Sequence, residues 1–372
     1  MKIEFQQGVG AALLSLRQGA GEKVGARRLR AAKTAFVTRR VKLQDAALLV
    51  QDFVPGHGDL LLAEVLSIGH HTKLEAPTGR RVALYPGDEI IVTYGARYAT
   101  DQFEAVVPDD LEPCELIAAG GIAGRLVSQH GRMRQATRLK PLGLLADLEG
   151  HILNLRRYAL PRIVEKSAMP IVVAVVGTAM NAGKTTVASS LVHGLTRAGL
   201  RVGGAKITGT GSGGDLWSLL DAGALCALDF TDMGYSSTHR LAEVALTEVA
   251  NDLVDHLSTQ QLDIAIVEIA DGLLQEDTAA LLSSPAFRSR IDAVIMVASD
   301  SMGAVAGVKW LAERRLPVVG FSGLVTASPL ASAEAERACG LPSFSLDDLR
   351  DPGFAPKLCL ASNPLVLENQ CA

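Results

Sequence analysis

Two patterns of apolar and polar positions divide the chain near residue 165. Before that point the apolar runs are short. "AALLVQDF" (46–53), "DLLLAEVLSIG" (59–69), "RRVALYPGDEIIVTYG" (80–95) and "QFEAVV" (102–107) are rich in Val, Ile, Leu and Tyr. "PGHGD", "APTGR" and "PGD" punctuate them as turns. This spacing predicts a small β-barrel or sandwich. Segments 114–131 and 137–155 continue the same half, and their pattern fits helix or strand. From residue 170 onward apolar strands alternate with longer helix-like segments, the pattern of a parallel α/β sheet. Strands are predicted at Ile171–Val176, Val202–Ile207, Leu225–Phe230, Ile264–Ile269, Ala293–Val297 and Pro317–Phe321, and a long helix within 237–260. The expected division is an N-terminal segment (1–34), a β-rich domain (35–165), a P-loop α/β domain (166–345) and an irregular tail or lid (346–372).

The strongest chemical signal lies where the first of these later strands ends. "VVAVVGTAMNAGKTTVASSLVHGL" (172–195) runs from an apolar strand through a loop into an apolar-periodic segment. A helix N-terminus presents unpaired N–H groups and partial positive charge, and a glycine-bearing loop before it can wrap a phosphate chain. Gly177, Thr178, Asn181, Ala182, Gly183 and Thr186 would form the cradle. Lys184 would reach the outer phosphates, and the Thr185 hydroxyl would ligate Mg²⁺. Five residues, not the usual four, separate Gly177 from Gly183.

Other polar clusters sit at predicted strand ends, where ligands bind in open α/β sheets. Glu268 and Asp271 in "VEIADG" could hold a metal or orient a nucleophile. Asp215 in "GTGSGGDLWSLLDAG" fits an N-cap or a Mg²⁺ ligand. Asp229, Asp232, Ser236 and Ser237 crowd "DFTDMGYSSTHR" (229–240), which reads as a substrate pocket beside an ST cap. Arg125 in "AAGGIAGR" and Arg97 in "YGARYATDQ" are candidate anion contacts.

Composition narrows the classes. The 372 residues are 48% hydrophobic, 20% charged and only 4% aromatic, with a formal net charge of −4. That is a globular composition with no global basic field for nucleic acid. The basic stretch 22–42 reads as a solvated surface. Five cysteines (114, 226, 339, 359, 371) are scattered without metal spacing, and no apolar run reaches the ~20 residues of a membrane span. The N-terminus makes a poor secretion signal. A cytoplasmic protein without nucleic-acid or membrane partners is expected.

The five-residue loop variant is similar to the P-loop of dethiobiotin synthetases, Gly-Thr-Asp-x-x-Val-Gly-Lys-Thr. The resemblance continues through "GAKITGTGSGG", "LLDAGALCA", "IVEIADG" and "VASDSMGAVAGVKWL", covering about 170–325. It implies a substrate-facing Lys206, Asp221 near the metal, Glu268 as the acidic group and a homodimer. The family's first loop aspartate is Ala179 here and its second acidic position is Asn181, so Asp215, Asp221 or Glu268 must supply the Mg²⁺ ligand. The function expected from these features is ATP- and Mg²⁺-dependent phosphoryl transfer to a small polar acceptor, by a kinase or a ligase, with Lys184, Lys206 and Glu268 catalytic. Two alternatives stand beside it. One is a nucleotide-switch NTPase. The other is a CoA-dependent N-acyltransferase, because the loop also resembles that of D-glutamate N-acetyltransferases.

Overall fold

Residues 171–177 read Ile-Val-Val-Ala-Val-Val-Gly, and all seven are buried. A strand apolar on both faces belongs in the middle of a parallel sheet. In the computed structural model, which describes residues 17–164 and 168–360, it does. Six strands carry this half: β1 (Ile171–Gly177), β2 (Val202–Lys206), β3 (Cys226–Asp229), β4 (Ile264–Glu268), β5 (Ala293–Val297) and β6 (Val318–Ser322). They pair in the order β3-β2-β4-β1-β5-β6, all parallel. The helices between them are α1 (Lys184–Arg197), α2 (Gly214–Asp221), α3 (Glu243–Ser258), α4 (Glu276–Ser283) and α5 (Ser301–Glu313). Val172, Ala174 and Val176 pack with α3 through Leu246, Val249 and Leu253. Ile171, Val173 and Val175 pack on the other face with Val187 and Leu191 of α1. The chain leaves β1 toward β2 on one side and later crosses to β5 on the other, so the loop after β1 stands at the sheet's switch point.

The N-terminal half is antiparallel and closes on itself. Strand Thr137–Ala146 pairs with Leu60–Ser67, which pairs with Glu89–Tyr94. That strand pairs in parallel with Ile122–Gln129, which returns through Cys114–Ala118 to Thr137–Ala146. Five strands thus form a ring, and the open choice between barrel and sandwich resolves as a barrel. Alternation sets its two faces: Leu61, Ala63, Val65, Ile90 and Val92 fill one core, while Leu60, Leu62 and Ile91 belong to a second.

The Pro86-Gly87-Asp88 turn expected within 80–95 is present, with Gly87 at φ 86° between strands Arg81–Ala83 and Glu89–Tyr94. Two other expectations differ from the structure. Residues 22–34 do not stand apart as a segment. Glu22–Lys23 pairs with Leu48–Val50, and Lys33–Thr34 with Glu89–Tyr94. Residues 346–360 are not irregular: they hold helices Leu346–Arg350 and Ala355–Leu360. Ser345 and Asp348 form a reciprocal cap, and the turn sits so close to α1 that a Cβ on Gly194 would lie 2.2 Å from the Leu349 carbonyl. Residues 361–372, and Cys371 with them, lie outside the described residues, as do residues 1–16 of the stretch read for a secretion signal. No helix among the described residues is long and apolar enough to cross a membrane.

Candidate functional site

The loop from β1 into α1 has the form its residues predict. Gly183, at φ 105°, takes the left-handed conformation that glycine tolerates, immediately before the helix. Gly177 makes room for the lysine: a Cβ there would lie 2.9 Å from Lys184 Cγ. Thr178 N donates to Val297 O, fixing the loop to β5, and the Ala182 carbonyl accepts from Leu324 N. The amides of residues 179–183 find no backbone acceptor among the described residues, which leaves them available to a ligand. Thr186 is exposed beside Gly183. The Lys184 ammonium, buried, donates to Ala179 O at 2.8 Å and to Asp271 O at 2.6 Å. Burial lowers its pKa, while Glu268 and Asp271 work to keep it charged.

Two further loops meet this one. Thr185 Oγ1 donates to Asp215 Oδ1 at 2.8 Å and lies 3.2 Å from Glu268 Oε1. The other Asp215 oxygen pairs with the Lys206 ammonium. Burial alone would raise the Asp215 pKa, but Lys206 more than offsets it and lowers it. Burial also works against the charge on Lys206, yet Asp215 and Glu268 overcome it and raise that pKa. Glu268 is pushed up to about 7 by burial and by Asp215 beside it. Its second oxygen is buried and has no hydrogen-bond partner. A hydroxyl, two carboxylates and an unsatisfied carboxylate oxygen are a hard-oxygen donor set that suits Mg²⁺. These residues therefore fit the ion, with Thr185, Asp215 and Glu268 as the groups that would hold it.

The remaining candidates separate. Asp221 is exposed at the far end of α2, about 9 Å along the helix from Asp215, so it does not join the metal donors. Arg125 is half-exposed and paired with Asp109 and Asp110 on the barrel surface, not aimed at the P-loop. Segment 229–240 is not an open pocket. Arg39 reaches from the N-terminal half to Asp229 (3.1 Å) and Asp232 (2.7 Å), and Arg40 lies 3.6 Å from Asp232. Ser236 Oγ donates to Tyr94 O at 3.2 Å. Ser237 Oγ accepts from the His239 amide. This polar cluster is the socket in which the barrel sits, and part of the basic stretch 22–42 plugs it. Asp271 stays at the site: it lines a cleft with Lys206 and Arg97, and burial raises its pKa.

Partners not singled out in the sequence complete the arrangement. Asp101 of the barrel half accepts from Asn181 Nδ2 at 2.6 Å. Glu75, buried, accepts from Gly213 N at 3.0 Å and from Ser212 Oγ at 3.2 Å. A second cavity, of about 360 Å³, adjoins Gly183 and Thr186 and is bounded by Leu324, Thr326 and Leu346.

No protein-family model matches this chain, and no curated protein does. Solved structures do. The 54 kDa signal recognition particle protein from Aeropyrum pernix, solved with GDP, is 20% identical over 56% of this chain and 50% of its own, with a TM-score of 0.36. The signal recognition particle receptor FtsY from Elizabethkingia anophelis is 17% identical over 53% of this chain and 56% of its own, at 0.31. FtsY from Thermotoga maritima is 18% identical over 54% and 72%, at 0.37. The chain thus spans about half the length of the first two. These neighbours are signal recognition particle proteins and not dethiobiotin synthetases, so the expected kinship is corrected. The small-molecule kinase or ligase reading falls with it. The architecture is an α/β P-loop fold with an N-terminal, mostly antiparallel barrel.

Proposed function

We propose that this protein is a Mg²⁺-dependent nucleoside triphosphatase that works as a conformational switch, with the barrel half reading the state of the P-loop. One observation carries the reading: the metal-facing acid and the barrel hold the same short loop. Asp215 lies in the first turn of α2 and receives the Thr185 hydrogen bond. Two residues earlier, the Gly213 amide is held by Glu75 of the barrel half. A shift of Asp215 toward a bound ion must therefore load or release the Glu75 contact. The Asn181–Asp101 bond gives the loop a second tie to the same half.

The division of labour follows from the geometry. The free amides and Lys184 would bind and orient phosphates. Thr185, Asp215 and Glu268 would hold Mg²⁺, which when bound neutralises phosphate charge. The cavity beside Gly183 and Thr186 would take the nucleoside. In the arrangement described, Lys206 neutralises Asp215 and two carbonyls hold Lys184, so these groups exchange partners when phosphate and metal arrive. The output of such a switch is a change in contact with a protein partner, and GTP and ATP are the two nucleotides to try first.

The test is phosphate release by the full chain from GTP and from ATP, with Mg²⁺ and no added acceptor. Slow release is expected, on the order of 10⁻⁴ to 10⁻² per second, the range of unassisted switch NTPases. Failure to bind either nucleotide, or turnover that depends on a small-molecule acceptor, would overturn the reading.

A further inference from the structure

A cleft of about 440 Å³ opens between the barrel half and the strand ends of the α/β half. Met180, Lys206 and Asp271 form one wall, and Lys73, Arg81 and Arg97 line the other. It lies on the barrel-facing side of the P-loop, whereas the cavity assigned to the nucleoside adjoins Gly183 and Thr186. We infer that this cleft is a binding site for a small anionic ligand, a carboxylate or phosphate compound distinct from the nucleotide.

The cations of the barrel wall form no ion pair among the described residues. Lys73 and Arg81 are exposed, and neither makes an ion pair among the described residues. Glu75 is opposite Arg81 in the hairpin register, but its carboxylate is turned to Gly213 and Ser212. Arg97 is only 6% exposed. Its guanidinium meets neutral acceptors, Ile117 O and Gln102 Oε1, and its Nε has no partner. Burying a guanidinium without a carboxylate in contact is costly. Two acids are near. Asp101 accepts from Asn181 and Asp271 lines the facing wall; both favour the charge on Arg97, but neither is in salt-bridge contact with it. Three cations thus face a space of small-ligand size with no carboxylate in ion-pair contact among the described residues. Guanidinium and ammonium groups converging on one space select carboxylate or phosphate groups. Such a ligand would bridge the two halves next to the loop that carries Asp215.

Calorimetry on the full chain, free of nucleotide and Mg²⁺, tests this with citrate, malonate, inorganic phosphate and polyglutamate as probes. At least one of the three small anions should bind one to one, and whether the carboxylates or phosphate bind more tightly identifies the source. The double variant K73A/R81A changes two exposed side chains and should weaken that binding about tenfold or more, the equivalent of one lost charge-assisted bond. Lys184→Ala, which disables the P-loop and not this cleft, should change it less than about twofold. The inference is overturned if no small anion saturates, or if only polyglutamate binds. It is also overturned if Lys184→Ala abolishes the binding while K73A/R81A leaves it intact, because the anion then occupies the nucleotide site.

Discussion

Replacing Lys184 with alanine is expected to weaken nucleotide binding about a hundredfold while leaving a cooperatively folded protein. The ammonium is buried at the mouth of the loop and spends its hydrogen bonds on two carbonyls, Ala179 O and Asp271 O. Both are neutral acceptors that a phosphate would outcompete, since a bond between two charged groups is roughly twice as strong as a neutral one. Losing one or two charge-assisted bonds of about 1.5–3 kcal/mol each accounts for the expected factor. The β1 strand and α1 keep their apolar contacts on both faces of the sheet, so the fold does not depend on this side chain. Titration calorimetry with GTP and ATP, beside a thermal melt, checks it. An unchanged affinity in a folded variant would show that phosphate does not enter this loop.

Asp215→Asn is expected to remove most of the benefit of Mg²⁺ to nucleotide binding, with at least about a tenfold loss of the metal-dependent gain. Asp215 receives the Thr185 hydroxyl and the Lys206 ammonium and shares the site with the half-satisfied Glu268. An amide keeps the shape but not the charge, and it cannot accept at both former oxygen positions. Asp221→Asn is the control, because Asp221 is exposed at the other end of the same helix. Nucleotide affinity measured with and without Mg²⁺ separates the two. A parent-like metal response in Asp215→Asn, or a loss in Asp221→Asn, would refute the assignment.

The contrast between Asp215 and Asp221 shows what local pattern could tell. All six parallel strands lie within one or two residues of their predicted bounds, because each is an unbroken apolar run between polar loops. The loop from Gly177 to Thr186 was equally legible, since its glycines and lysine act on neighbours a few residues away. Which aspartate of 209–223 faces the site was not legible. That depends on where α2 begins and on the rotation of its first turn. The cluster at 229–240 was read as a pocket because polar density is the same for a pocket and for a socket. Only the arrival of Arg39, 190 residues away in sequence, tells them apart. Glu75 had no signal either: within "KLEAPTGR" it is one of several polar hairpin residues, and its partner Gly213 is 138 positions on. Arg125 and Arg97 looked alike in their glycine-rich contexts. The barrel turns the first to the surface beside Asp109 and Asp110 and buries the second at the cleft.

The central claim is that occupancy of the P-loop is felt by the barrel half through Glu75. Hydrogen exchange of the full chain, compared between the nucleotide-free protein and the protein with Mg²⁺ and a non-hydrolysable triphosphate, tests it most directly. The account predicts altered protection not only at 178–186 but together at 209–216 and at the hairpin 72–84. Protection changes confined to 178–186 and the adjoining nucleoside cavity, with 72–84 unchanged, would contradict it.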